Sequence, residues 1–145
     1  MPHLAPYVDD DTSWAARQRL YAGLLAKPGT VLLLARESGR LVGYGLAHVT
    51  DVAGTWIEDT WVTAAQVGEI ESVGVLPEFR NRGIGTALMD RLEAELRADG
   101  VQDLMLGVLA GNDAAIRLYE RRGYRQTWLY MSRWSGRANE DHSGS

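Results

Sequence analysis

Apolar residues recur along this chain with two different periods, and the switches between those periods divide it into elements. Trp14, Leu20, Tyr21, Leu24 and Leu25 stand at helical spacing. Asp9-Asp10-Asp11-Thr12-Ser13 before them supplies N-cap and first-turn chemistry, and Lys27-Pro28-Gly29 ends the element. Residues 31–35 and 41–49 are apolar runs around the turn signal Glu37-Ser38-Gly39, so they predict a β-hairpin. Residues 69–75 predict a strand, stopped by Pro77. Ile84, Leu88, Leu92 and Leu96 then trace a helix stripe that ends at Gly100. A strand over 101–109 follows, then a helix opened by Gly111-Asn112-Asp113, carrying Ala115, Ile116 and Tyr119 and ending at Gly123. Residues 124–134 alternate as a final strand would. Residues 1–8 make at best a short strand, and 51–66 show no decisive pattern. The strand and helix alternation of the second half predicts α/β layering.

Composition narrows the function. A chain of 145 residues is one domain in size, expected over 1–134, with the polar stretch 135–145 as a disordered tail. Hydrophobic residues make up 46% and charged residues 23%, which is globular usage. No apolar run approaches a membrane span and the N-terminus lacks the plan of a signal peptide, so a cytoplasmic protein without membrane contact is expected. There is no cysteine, which removes disulfides, thiolate ligands and a thiol nucleophile. His3, His48 and His142 show no ligand spacing, so no metal is expected and His48 reads as a strand residue without chemistry. The net charge of -4 argues against nucleic acid as a partner.

The chemistry gathers in one loop. In Val73-Gly74-Val75-Leu76-Pro77-Glu78-Phe79-Arg80-Asn81-Arg82-Gly83-Ile84-Gly85-Thr86-Ala87-Leu88 a strand stops at proline, an Arg/Gly loop follows, and a helix begins. Glycines admit an anion close to the backbone, and a helix N-terminus presents free N–H groups. The stretch reads as a pyrophosphate cradle. It is not a Walker loop, because no Gly-Lys-Ser/Thr closes it, nor a Rossmann fingerprint, because Leu88 stands where a third small residue belongs. Gly43-Tyr44-Gly45 lies inside a hairpin strand with no helix after it and is set aside.

Arg80-x-x-Gly83-x-Gly85 between a strand and a helix resembles the acyl-CoA pyrophosphate motif of the GNAT superfamily of N-acyltransferases. A second family signature follows in order, from Gly111-Asn112-Asp113 through Leu118-Tyr119-Glu120 to Gly123-Tyr124. The resemblance implies a mixed, mostly antiparallel sheet with splayed central strands flanked by helices. It implies that Val73, Gly74 and Val75 bond the pantetheine arm of acetyl-CoA. The amides of Arg80, Asn81, Arg82, Gly83, Ile84, Gly85 and Thr86 would hold the pyrophosphate. Asn112 would approach the pantetheine, and Tyr119 would act as general acid near the thioester sulfur.

Transfer to an amine also needs a base. Glu69 and Glu71 are spaced i, i+2 on a strand, hence on one face with Val73 and Val75 if no bulge intervenes. Two carboxylates that close raise each other's proton affinity. Glu71, nearer the cofactor end, is the first choice. Trp56, Asp59 and Trp61 fall where relatives often build acceptor contacts, although packing explains each of them. The expected activity is acetyl-CoA-dependent N-acetylation of a small-molecule amine. The alternatives are a protein or peptide N-acetyltransferase, or an acyl-CoA-binding sensor without turnover. Gly107, five residues before Asn112, departs from the glutamate of relatives that acetylate a ribosomal protein's N-terminus. An exposed edge beside the first or last strand would favour a homodimer.

Overall fold

The computed structural model describes residues 9–135. Its elements are α1 (Asp10–Leu25), β1 (Val31–Glu37), β2 (Arg40–Asp51), α2 (Trp56–Thr60), β3 (Gln66–Val75), a 3-10 turn (Pro77–Phe79), α3 (Ile84–Ala98), β4 (Asp103–Leu106) and α4 (Asp113–Arg121). They fall into two compact units. One is Gln18–Gly107; the other comprises the described parts of Met1–Arg17 and Val108–Ser145.

The first unit holds a four-stranded sheet in the order β1-β2-β3-β4. The β1–β2 hairpin closes at Ser38 and Gly39, which both take positive φ (50° and 80°), as a two-residue turn matching the strand twist requires. β1–β2 and β2–β3 are antiparallel, whereas β3–β4 is parallel. The sheet is therefore mixed and mostly antiparallel, flanked by helices, as expected.

One face of the sheet is covered by α3, whose Leu88, Met89, Leu92 and Leu96 are buried. Glycine lets that helix lie close. A Cβ on Gly45 would stand 2.9 Å from Leu92 Cδ1, and one on Gly68 would stand 3.0 Å from Leu96 Cδ1. The glycines of Gly43-Tyr44-Gly45 thus serve helix–sheet packing. Val52, Ile57 and Val67 form a second buried cluster, with Trp61 and Met105 packed against it.

Two features of β3 matter for function. Its pairing with β4 runs only from Val67 to Ile70, while the strand itself continues to Val75. β4 ends at Leu106, the partner of Ile70, so past Ile70 that side of β3 has no ladder partner among the described residues. The register with β2 also slips, since Leu46 pairs with Ser72 but Ala47 with Ile70, leaving Glu71 as an extra residue. A bulge therefore does intervene, and it corrects the predicted face. Val73 pairs with Gly45 on the α3 side, whereas Glu69 pairs with His48 and Ser72 with Leu46 on the other.

In the second unit, Asp9 caps α1 by accepting from the Thr12 backbone N–H at 2.9 Å and the Thr12 hydroxyl at 2.8 Å. From Gln18 on α1 belongs to the first unit; among the described side chains of the helix only Leu24 is buried, and Trp14, Leu20 and Leu25 are exposed. Other expectations are corrected too. The strand over 101–109 shrinks to β4, because only four residues find partners on β3. Residues 124–134 form no strand, and Trp128, Leu129, Tyr130, Met131 and Trp134 are exposed. Alternation makes a strand only where an edge accepts its hydrogen bonds. The unassigned stretch 51–66 contains α2. The expected strand in 1–8 and most of the expected tail, 136–145, lie outside the described residues.

Candidate active site

The segment read in the sequence as a cradle follows the end of β3. Pro77–Phe79 turns the chain, Asn81 and Gly83 take positive φ (62° and 82°), and α3 starts at Ile84. Gly83 occupies the N-cap position, so α3 has no side-chain cap, and its first turn carries no acidic residue. The N–H groups of Ile84, Gly85 and Thr86 precede the first intrahelical bond, which Ala87 N–H makes to Gly83 O. By contrast, Asp9 caps α1, and Asn112 caps α4 by accepting from Ala115 N–H at 3.3 Å. The α3 N-terminus therefore retains the unscreened positive end of its dipole.

The two arginines play different parts. Arg80 Nε donates to Val75 O at 3.3 Å, tying the loop to the strand end, and the residue is exposed. Arg82 lies over the Phe79 ring at 4.9 Å and within 3.9 Å of Glu37. Arg40 covers the same ring at 5.4 Å and pairs with Glu78 at 2.9 Å. The Arg82 side chain thus helps brace the loop against the β1–β2 hairpin. A cation over an aromatic face is worth about 0.5–1 kcal/mol at exposed sites.

Glu69 and Glu71 converge on a residue that the sequence reading set aside. His48 Nε2 lies 3.2 Å from Glu69 Oε2 and 3.2 Å from Glu71 Oε2. The bulge at Glu71 and the pairing of His48 with Glu69 bring all three together. Their donor atoms lie within 4.8 Å of one another, a spacing that a hydrogen bond accounts for without an ion. Burial pushes the Glu69 carboxyl above its ordinary 4.5, His48 opposes that rise, Glu71 adds to it and Lys27 opposes it. The one available signal for His48 was a histidine inside an otherwise apolar strand run.

Other predicted residues stand as follows. Val73, Gly74 and Val75 lie on the β3 segment past the last β4 partner. Gly74 leaves room for Tyr44, whose hydroxyl bonds Ser72 Oγ at 2.6 Å. Trp56 and Trp61 meet edge to face at 5.4 Å. Asn112 and Tyr119 belong to the second unit. Tyr119 is half-buried on α4, its ring edge to face with Tyr124 at 6.1 Å.

Comparison with known proteins agrees with this architecture. The chain resembles a putative acetyl transferase from Pyrococcus furiosus at 21% identity and TM-score 0.70, covering 90% of this chain and 83% of that one. It resembles the aminoglycoside 6'-N-acetyltransferase AAC(6')-IG from Acinetobacter haemolyticus at 19% identity and TM-score 0.66, covering 90% and 86%. AAC(6')-Iy, solved with the bisubstrate analog CoA-S-monomethyl-acetylneamine, gives 19% identity and TM-score 0.62 over 90% and 85%. At these identities the likeness is one of fold. A sequence profile of the acetyltransferase (GNAT) family matches residues 3–124, and the chain belongs to that acetyltransferase family.

Proposed function

We propose that the chain is an acetyl-CoA-dependent N-acetyltransferase acting on a small-molecule amine, built as one domain over 1–134 and working in the cytoplasm. One observation carries the cofactor half. Past Ile70 the outer edge of β3 has no strand partner among the described residues, and the strand runs into a loop whose helix has neither a side-chain cap nor an acidic first turn. An extended amide arm ending in a pyrophosphate fits that sequence of surfaces. Val73, Gly74 and Val75 offer backbone partners to the arm, and the amides from Arg80 to Thr86 face the anion.

The acceptor half rests on Glu69 and Glu71. An amine arriving as its ammonium form must lose a proton before its lone pair attacks the thioester carbonyl. A desolvated carboxylate with raised proton affinity suits that task. The C–S bond then breaks, and the departing thiolate takes a proton, a role the family resemblance gives to Tyr119. The resemblance also gives Asn112 to the pantetheine. Solved relatives described as aminoglycoside N-acetyltransferases support a small-molecule amine as acceptor.

Calorimetry and thermal shift test the cofactor half directly. Acetyl-CoA at a hundredfold excess over its Kd stabilises the protein by about 2.7 kcal/mol, and NADH or ATP by much less. No shift at millimolar acetyl-CoA contradicts the reading.

A further inference from the structure

The two candidate bases share one imidazole, and they share it unequally. His48 Nε2 is equidistant from them at 3.2 Å, but the contact with the geometry of a hydrogen bond is the one to Glu71 Oε2. The His48 side chain is 9% exposed, and its Nδ1 is buried with no hydrogen-bond partner among the described residues. A ring proton on Nδ1 would be a buried donor without an acceptor, and would leave the Nε2 lone pair facing two carboxylates. A proton on Nε2 makes a charge-assisted bond instead. One N–H points at one oxygen, and here that oxygen belongs to Glu71. Glu71 is also the bulged residue, so its side chain is aimed by the slip in register rather than by regular alternation. Glu69 sits opposite His48 in the ladder, and Glu71 and Lys27 are charged groups acting on it.

We propose that His48 is a positioning residue that divides the work of the two glutamates: it holds Glu71 through Nε2–H and leaves Glu69 as the base that takes the acceptor's ammonium proton. The proposal rests on the N-acetyltransferase reading above and reverses the sequence-based preference for Glu71. The balance is simple. The ammonium N–H bond breaks, the proton goes to a Glu69 carboxylate oxygen, and the freed amine forms the new C–N bond; the thioester C–S bond breaks, and a second N–H proton of the attacking nitrogen balances the proton taken up by the departing thiolate.

Three measurements test it. Glu69→Gln lowers kcat/KM by about 10²–10⁴-fold, the range of general base catalysis, whereas Glu71→Gln lowers it less than tenfold. His48→Leu, which acts through Glu71, lowers it by no more than Glu71→Gln does, and His48→Gln recovers most of that loss. Ring ¹⁵N shifts of the intact wild-type protein report the proton on Nε2, whether or not an acceptor is in hand. A loss in Glu71→Gln equal to that in Glu69→Gln overturns the division of labour, as does a ring proton on Nδ1. A wild type that binds no acetyl-CoA and releases no thiol overturns the transferase reading itself, an outcome distinct from either.

Discussion

Tyr44 occupies the space that a side chain on Gly74 would need. A Cβ on Gly74 would stand 2.5 Å from the Tyr44 Cε1 atom, and the ring is anchored by the 2.6 Å bond between its hydroxyl and Ser72 Oγ. The ring cannot swing aside without giving up that bond. Gly74 thus keeps β3 in register at the segment proposed to meet the pantetheine.

Gly74→Ala is therefore expected to destabilise the fold by about 1–3 kcal/mol, the usual range for overpacking. Thermal unfolding checks it: a fall of several degrees is expected, and Tyr44→Ala in the same chain recovers part of it. An unchanged Tm for Gly74→Ala would show that the ring yields freely.

The cradle has its own test. Gly83 sits at φ 82° and a Cβ added there would meet nothing within 4 Å, so a side chain meets backbone strain of about 1–2 kcal/mol rather than a clash. Gly83→Asp adds that strain and sets a carboxylate at the proposed anion site. Titration calorimetry is expected to show acetyl-CoA binding weakened more than tenfold, with a folded circular dichroism spectrum. Arg80→Ala weakens binding less, since backbone amides remain. Unchanged affinity in both variants contradicts the cradle.

Much of this was legible in the sequence, and what was not has a physical cause. The β3–loop–α3 passage was readable because proline, glycine and helical periodicity are local signals. The bulge at Glu71 was not, because register belongs to two strands at once and no single strand records it. The same slip hid His48, whose importance lies wholly in standing opposite Glu69. Alternation over 124–134 misled for a related reason: Tyr130 and Met131 carry the strand pattern yet are almost fully exposed, with no neighbouring strand paired to them. α2 escaped because five residues are too few to show a helical period.

Stability should also follow the Glu69 proton. Folding raises its proton affinity, so the folded chain binds this proton more tightly than the unfolded chain does. Its contribution to stability therefore falls as pH rises from about 4.5 through the folded value. Glu69→Gln removes that titration. The Tm gain of the variant over wild type is expected to be larger at pH 7 than at pH 4, and a gain that is larger at pH 4 contradicts the sign.

Tyr119→Phe keeps the ring that meets Tyr124 edge to face and removes only the hydroxyl. As general acid, that hydroxyl is expected to account for about 10²–10⁴-fold in turnover. Acetyl-CoA affinity and Tm should barely change. Wild-type turnover with chemistry shown to be rate-limiting excludes the role.

The most direct test of the central claim is release of free CoA thiol from acetyl-CoA across a panel of small amines. The chain has no cysteine, so a thiol reagent sees only the product. The account predicts acceptor-dependent release that matches, mole for mole, an amide-acetylated amine found by mass spectrometry. Tight binding of acetyl-CoA with no acceptor-dependent release from any amine of the panel would contradict it and leave a binding protein in place of an enzyme.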